Sequence, residues 1–350
     1  STKRTHGVAE FQVARLLLEP IATANSSPEV QYQLAHTYYL LADEPRDYRK
    51  AGRNSGNPQP QSPESVEGEI DSRPALHQQE NNGEITRAGG RTQDLEMLLQ
   101  KAIEILRRLV EEFPESPDYR GLLAMCYMES SKMPLISDSP RGSQLRLNAI
   151  KLLSELVERH PENPDYRLAL SSAYAIGRVT SPKLDHDAIR AYIDRLETAE
   201  SLISDLRSEY PAVPQYLLAH LKLFRQLATL HRRLEGPGAE LPVYRRASEV
   251  CRNAQPDSIV NTSFKPVIEV YDYTADLLLN EEFGDQERNL LEALSILQAG
   301  MHEFESLEKR TGESNDHPMR RRFLSRMTDV HERLGHTPPP QPLPRPGTSN

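Results

Sequence analysis

Among the eleven histidines of this 350-residue chain, the segment His331-Glu332-Arg333-Leu334-Gly335-His336 comes nearest to metal chemistry. It resembles the His-Glu-x-x-His arrangement that sets two imidazoles on one helical face for zinc. Its histidines stand five apart rather than four, and Gly335 is expected to end the helix, so the rings diverge. His220 and His231 share an expected helix three turns apart, yet the residues around them read as packing, and both are assigned to the helix rather than to a ligand set. Cys126 lies in an apolar stretch and Cys251 follows Val250. Both read as buried structural thiols, because a reactive thiolate needs an exposed, electropositive setting. Asp185 and Asp187 flank a helix start, where carboxylates favour the dipole. A phosphate-cradling glycine loop, a Gly-x-Ser-x-Gly elbow and kinase motifs are missing from the sequence. The expectation is a non-catalytic chain without cofactor or metal.

Charge bounds the partners. The net charge is -9 and the pI about 5.7, the wrong sign for a nucleic-acid footprint. Arg320-Arg321-Arg322 with Arg326 makes one C-terminal helix basic, and a solvated face is the simpler reading than a dock for acidic partners. No apolar run approaches the roughly 18 to 20 residues that span a bilayer, so no membrane insertion is expected. Two cysteines cannot build a disulfide framework. The chain begins at Ser1 rather than Met, as a piece of a longer protein would, which leaves its compartment open.

The elements that would position any site are helices. Hydrophobic residues are 37% of the chain, aromatic residues 6%, Trp is lacking and mean hydropathy is -0.63, so cores must be thin. Across 94–113, Leu95, Leu98, Leu99, Ala102, Leu106, Leu109, Val110 and Phe113 recur at three- and four-residue steps, the stripe of an amphipathic helix. Residues 148–160, 187–210 and 288–309 repeat the pattern, and strand content should be near zero. Residues 44–92 hold only eight apolar side chains in 49 positions, with Pro58, Pro60, Pro63, Pro74 and six glycines, and are expected to be a disordered insertion. Residues 337–350 carry six prolines and should form an extended tail.

Self-comparison exposes a repeat. Phe113-Pro114-Glu115-Ser116-Pro117-Asp118-Tyr119-Arg120 returns 47 residues later as His160-Pro161-Glu162-Asn163-Pro164-Asp165-Tyr166-Arg167. It returns again as Tyr210-Pro211-Ala212-Val213-Pro214-Gln215-Tyr216, with an earlier cousin at Ser27-Pro28-Glu29-Val30-Gln31-Tyr32. A long helix should end at the first proline and a second begin at the next. Twelve residues before the first proline stand Ala102, Ala149 and Ala199, and eight before it Leu106, Leu153 and Ile203. In the following helix come Leu123-Ala124 with Tyr127, Leu170-Ser171 with Tyr174, and Phe224 at the third Tyr place. Leu34-Ala35 with Tyr38, and Ala293, Leu297 and Gly300, fit the same spacings.

These positions resemble the tetratricopeptide repeat, a 34-residue helix-turn-helix unit. A looser resemblance is to helical-repeat regions of planctomycete signalling proteins. The first implies an all-α solenoid of stacked hairpins with a right-handed superhelix. Its parts would be a first repeat at 1–43, the insertion at 44–92, and repeats at about 93–176, 177–235, 236–280 and 281–336. The Pro-rich tail follows at 337–350. The period exceeds 34 by 13 and 16 residues, a surplus expected between the helices of a hairpin at about 130–145 and 177–188. The family's usual aromatic is displaced to Tyr119, Tyr166 and Tyr216. What lines the concave groove follows from the resemblance: Glu29, Tyr32, His36 and Tyr39, then Asp118, Met125 and Glu129, then Asp165, Ser172 and Ile176, then Gln215, Lys222 and Arg225. The Lys, Asn and Arg clamp by which some members grip a carboxylate is missing. The implied function is a scaffold holding a peptide or helix of another protein in that groove, expected to be an apolar and basic segment anchored on Tyr, Met and Ile. The alternative is a regulatory or sensor region of a larger signalling protein associated with a kinase or sigma factor.

Overall fold

The computed structural model describes residues 11–22, 26–42, 77–133, 136–137, 139–177, 179, 181, 184–259, 261–280, 286–311 and 318–335. These residues form helices, turns and bends, and among them there is no strand, so the fold is all-α. The chain divides into two compact units, Ser1–Pro161 and Glu162–Asn350.

Unit 1 holds α1 at 11–18, α2 (Pro28–Ala42), α3 (His77–Glu112), α4 (Pro117–Ser131) and α5 (Pro140–Arg159). Unit 2 holds α6 (Pro164–Tyr174), α7 (His186–Glu209), α8 (Pro214–Glu235), α9 (Leu241–Arg252), α10 (Asn261–Leu279), α11 (Gln286–Thr311) and α12 (Pro318–Arg333). From α2 through α5, and from α6 through α12, each helix packs against the next in sequence. In addition, α2 touches α4 and α8 touches α10.

The repeated prolines set these boundaries. Pro117, Pro164 and Pro214 each occupy the first position of a helix, where a missing N–H costs nothing and φ is already helical. The preceding helices stop at Glu112, Arg159 and Glu209, two residues short of Pro114, Pro161 and Pro211. Rings staple two of these turns: Phe113 meets Tyr119 edge-on at 6.1 Å, and Tyr210 meets Tyr216 at the same distance. Each such pair contributes about 0.5–1.5 kcal/mol beyond its buried area. The starts of α5 and α7, which lack the proline pair, use polar caps. Ser139 accepts from the Gly142 amide at 3.1 Å, and Asp185 from that of Ala188 at 2.8 Å.

Packing follows the repeat. Ala102, Ala149 and Ala199 are each fully buried, as are Leu106 and Ile203, with Leu153 at 1% exposure. Ser171, the small residue of α6, donates to the Ala199 carbonyl at 2.9 Å, which only a close helix approach permits. Gly300 of α11 has the same role: a Cβ there would stand 2.1 Å from the Phe323 ring of α12.

Two expectations change. Helix α3 reaches back to His77, so residues 77–92, expected to be irregular, carry helical backbone. That stretch contains no proline, and three glycines cost only about 1 kcal/mol each in a helix once the amphipathic part has nucleated it. The rest of the expected insertion lies outside the described residues, as does the tail at 337–350. The surplus of the long period is also not all loop, since α5 starts at Pro140 and α7 at His186, lengthening the second helix of each hairpin.

Candidate partner-binding groove

The groove residues implied by the resemblance fall in both units. In unit 1, Tyr32 stacks on His36 at 6.0 Å and meets Tyr119 of α4 at 5.3 Å with a 42° tilt, forming an aromatic surface with half-buried rings. Burial holds the His36 imidazole below its ordinary pKa. Asp118 is exposed, Met125 is half-buried, and Glu129 pairs with Lys132. Tyr39 does not present its ring to a partner, because it is buried at 9% exposure. In unit 2, Glu29's counterparts Asp165 and Gln215 are exposed, as is Ser172, whereas Ile176 is buried at 7% exposure. Side chains assigned to a surface by position alone thus include two that complete the core.

Lys222 and Arg225 are brought to a recognisable site. Both are exposed on α8, one turn apart, and both line a groove with Tyr244 of α9 and Pro266, Glu269 and Tyr273 of α10. Its floor is Leu221, Phe224 and Val270, all buried. The Tyr244 and Tyr273 rings stack at 5.7 Å with a 29° tilt, and Tyr273 keeps 50% exposure despite its size. Among the described residues no carboxylate pairs with Lys222 or Arg225, while Glu269 is bound to Lys265 at 3.7 Å. Burial, with the neighbouring Tyr273 second, raises the Tyr244 phenol above its ordinary pKa, so it stays a neutral hydrogen-bonding group.

Two devices hold this geometry. Thr274 Oγ1 lies 2.7 Å from Ser248 Oγ, a buried hydroxyl pair that locks α9 to α10 one residue beyond Tyr273. Beneath the floor, His220 is only 2% exposed and stacks on Phe224 at 4.5 Å. The guanidinium of Arg207 stands 3.3 Å from His220 Nδ1, and because arginine only donates, Nδ1 must accept and Nε2 carries the proton. That Nε2 faces Glu200 Oε1 at 3.6 Å, and Arg246 closes the set by pairing with Glu200. Burial foremost, then the charge of Arg207, keeps the imidazole below its ordinary pKa. Burial would raise the Glu200 carboxyl, but His220 and Arg246 outweigh it and hold it low. Sequence reasoning placed His220 in packing and did not see this network, whose members lie on three helices.

The remaining chemical candidates resolve simply. Cys126 and Cys251 are buried free thiols, raised well above the ordinary thiol pKa by burial first. His231 pairs with Glu235 at 2.9 Å within its own helix. Helix α12 ends at Arg333 with Gly335 at φ 70°, as the glycine implied, and His336 lies outside the described residues. Among the described residues no group of three His, Cys, Asp or Glu side chains is placed to hold a metal ion, and no helix is long and apolar enough to cross a membrane. The basic stretch of α12 is tied down from within: Arg326 bonds Asp272 at 2.8 Å and reaches Asp276, Arg322 also meets Asp272 at 3.2 Å, and Arg320 meets Glu308. Comparison with protein-family models and with curated proteins finds no match for the chain.

Proposed function

We propose that the protein is a non-catalytic scaffold built from tetratricopeptide-like hairpins, and that its unit 2 groove holds a short segment of a partner protein. The observation that carries this reading is the pair of cations, Lys222 and Arg225, with no carboxylate partner among the described residues, beside the half-exposed Tyr244 and Tyr273 stack. An aromatic ledge above an aliphatic floor supplies the anchor pocket on which such interfaces depend. The two cations select the neighbouring residues of the ligand by charge, which makes the fitting segment apolar and acidic rather than apolar and basic. Recurrent small residues at buried helix contacts and sequential helix packing support the hairpin reading within each unit.

The test is selection of displayed twelve-residue peptides on the full chain, followed by fluorescence anisotropy with the enriched sequences. Enrichment of aromatic or leucine anchors flanked by Asp or Glu is expected. Tyr273→Ala should weaken those peptides by about 30-fold, the equivalent of roughly 2 kcal/mol at a central aromatic, and Lys222→Glu by a comparable factor. Absence of selectable binders, or binders indifferent to both substitutions, refutes the assignment.

A further inference from the structure

A second concavity lies in unit 1, apart from the groove of unit 2, and its chemistry is different. Helix α3 contributes Gln100, Ile103 and Arg107, one face at three- and four-residue steps. Helix α5 contributes Arg141, Gln144, Leu145 and Asn148 by the same spacing, and Tyr127 of α4 closes the back. Together they bound a pocket of about 280 Å³ with two arginines, three carboxamides and, among the described residues, no carboxylate in its lining. Ile103 and Leu145 are buried and make its floor.

The hydrogen-bond inventory decides what fits. Arg107 Nε donates to the Tyr127 hydroxyl at 2.8 Å, which fixes the guanidinium against the ring at 5.7 Å from its centroid. No carboxylate pairs with Arg107 among the described residues, so its two terminal NH2 groups remain available. The Gln100 carbonyl is taken by Arg141 at 3.4 Å, and the Asn148 carbonyl by the Gln144 amide at 2.9 Å. Arg141 also meets Glu96 at 3.2 Å outside the lining. The protein therefore consumes most of the pocket's acceptors internally and leaves donors: the Arg107 fork, the Tyr127 O–H and the Asn148 amide. A ligand that satisfies them must be rich in acceptors and carry negative charge, since a guanidinium fork pairs best with a planar or tetrahedral oxyanion. At about 280 Å³ the space lies just below the roughly 300–1,000 Å³ of ordinary small-molecule pockets and suits a small ligand.

We propose that this pocket binds a small hydroxylated oxyanion, with the phosphate or carboxylate on Arg107 and the hydroxyls on Tyr127 and the carboxamides of Gln144 and Asn148. The site is independent of the peptide groove.

Isothermal titration of the full chain at constant ionic strength, with glucose 6-phosphate, gluconate, inorganic phosphate and glucose, tests it. Saturable heat is expected for glucose 6-phosphate or gluconate, weaker binding for inorganic phosphate and none for glucose. The stronger of the first two names the source of the oxyanion. Arg107→Gln should weaken binding at least 10-fold with the wild-type circular dichroism spectrum retained, and Arg141→Gln by less, because Arg141 is shared with Glu96. Arg108→Gln, an exposed neighbour outside the lining, should change nothing. Lack of saturable heat with any anion overturns the proposal. Equal losses in Arg107→Gln and Arg108→Gln also overturn it, since only diffuse charge would then be at work.

Discussion

Replacing Gly300 by alanine sets two effects against each other, and the structure says which wins. In an ordinary helix interior the change stabilises by about 1 kcal/mol, because glycine has the greater backbone entropy to lose. At this position the new methyl would lie 2.1 Å from Phe323 Cε2 and 2.9 Å from Cδ2, well inside contact distance. Phe323 has no exposed surface into which to retreat, and it stands edge-on to Phe304 at 6.0 Å, which in turn meets Phe264 at 5.3 Å. The ring must therefore shift as part of a three-ring stack joining α10, α11 and α12. Overpacking of this kind costs about 1–3 kcal/mol, and outright loss of the Phe323 packing would cost about 3–5 kcal/mol. After the propensity gain of about 1 kcal/mol, a net loss of up to about 2 kcal/mol is expected, or up to roughly 8 °C in Tm for a unit of this size. Thermal melts by circular dichroism and calorimetry would measure it. A second variant, Gly300→Ala with Phe323→Leu, should recover part of the loss by making room for the methyl. A rise in Tm for the single substitution would refute the close α11–α12 approach on which the reasoning rests.

Two further outcomes follow from buried charge. Arg326→Ala should destabilise unit 2 by about 1–3 kcal/mol, below the ~3–5 kcal/mol of a fully orphaned buried ion because Arg322 still reaches Asp272. The loss should shrink in acid, since burial already raises the Asp272 carboxyl and protonation removes the stranded charge; denaturant unfolding at several pH values reads both. The imidazole of His220 is held below the value near 6.5 of a free histidine, so as pH falls the unfolded chain takes up the proton first. Stability should therefore be full above about pH 6.5 and decline below it until the folded-state value is passed. Glu200, Arg207 and Arg246 are the charges that face the ring. His220→Gln should lower this slope by up to about 1.4 kcal/mol per pH unit, leaving the share due to His36, whose pKa burial also lowers, and an unchanged slope would assign the effect elsewhere.

Helix boundaries were legible because their causes are local. A proline at the first helical position, a small residue fifteen places earlier and an apolar stripe between them are all visible within one repeat. The helical backbone at 77–92 was hidden by glycine content that weakens a helix without forbidding it. The groove was half visible: position within the repeat singled out Lys222 and Arg225. Tyr244 and Tyr273 join them only because α9 and α10 fold back onto α8 in a part of the chain where the repeat signal fades. Tyr39 and Ile176 show the opposite limit, since a position that faces outward in an average repeat faces inward wherever a neighbouring helix covers it. The pairing of Arg322 and Arg326 with Asp272 and Asp276 was equally out of reach. It links residues some fifty positions apart, and a run of arginines looks the same whether solvated or neutralised from behind.

The stepwise packing of helices has a consequence for synthesis. From α3 through α5 in unit 1, and from α7 through α12 in unit 2, every helix has the one made just before it as a packing partner. A chain leaving the ribosome at about 5–20 residues per second can then cover each new apolar stripe within seconds of its emergence, without waiting for a distant segment. Contacts so short in sequence also favour rapid closure. A core this poor in aromatic residues is thus compatible with reliable assembly, because little of it is ever left waiting in water.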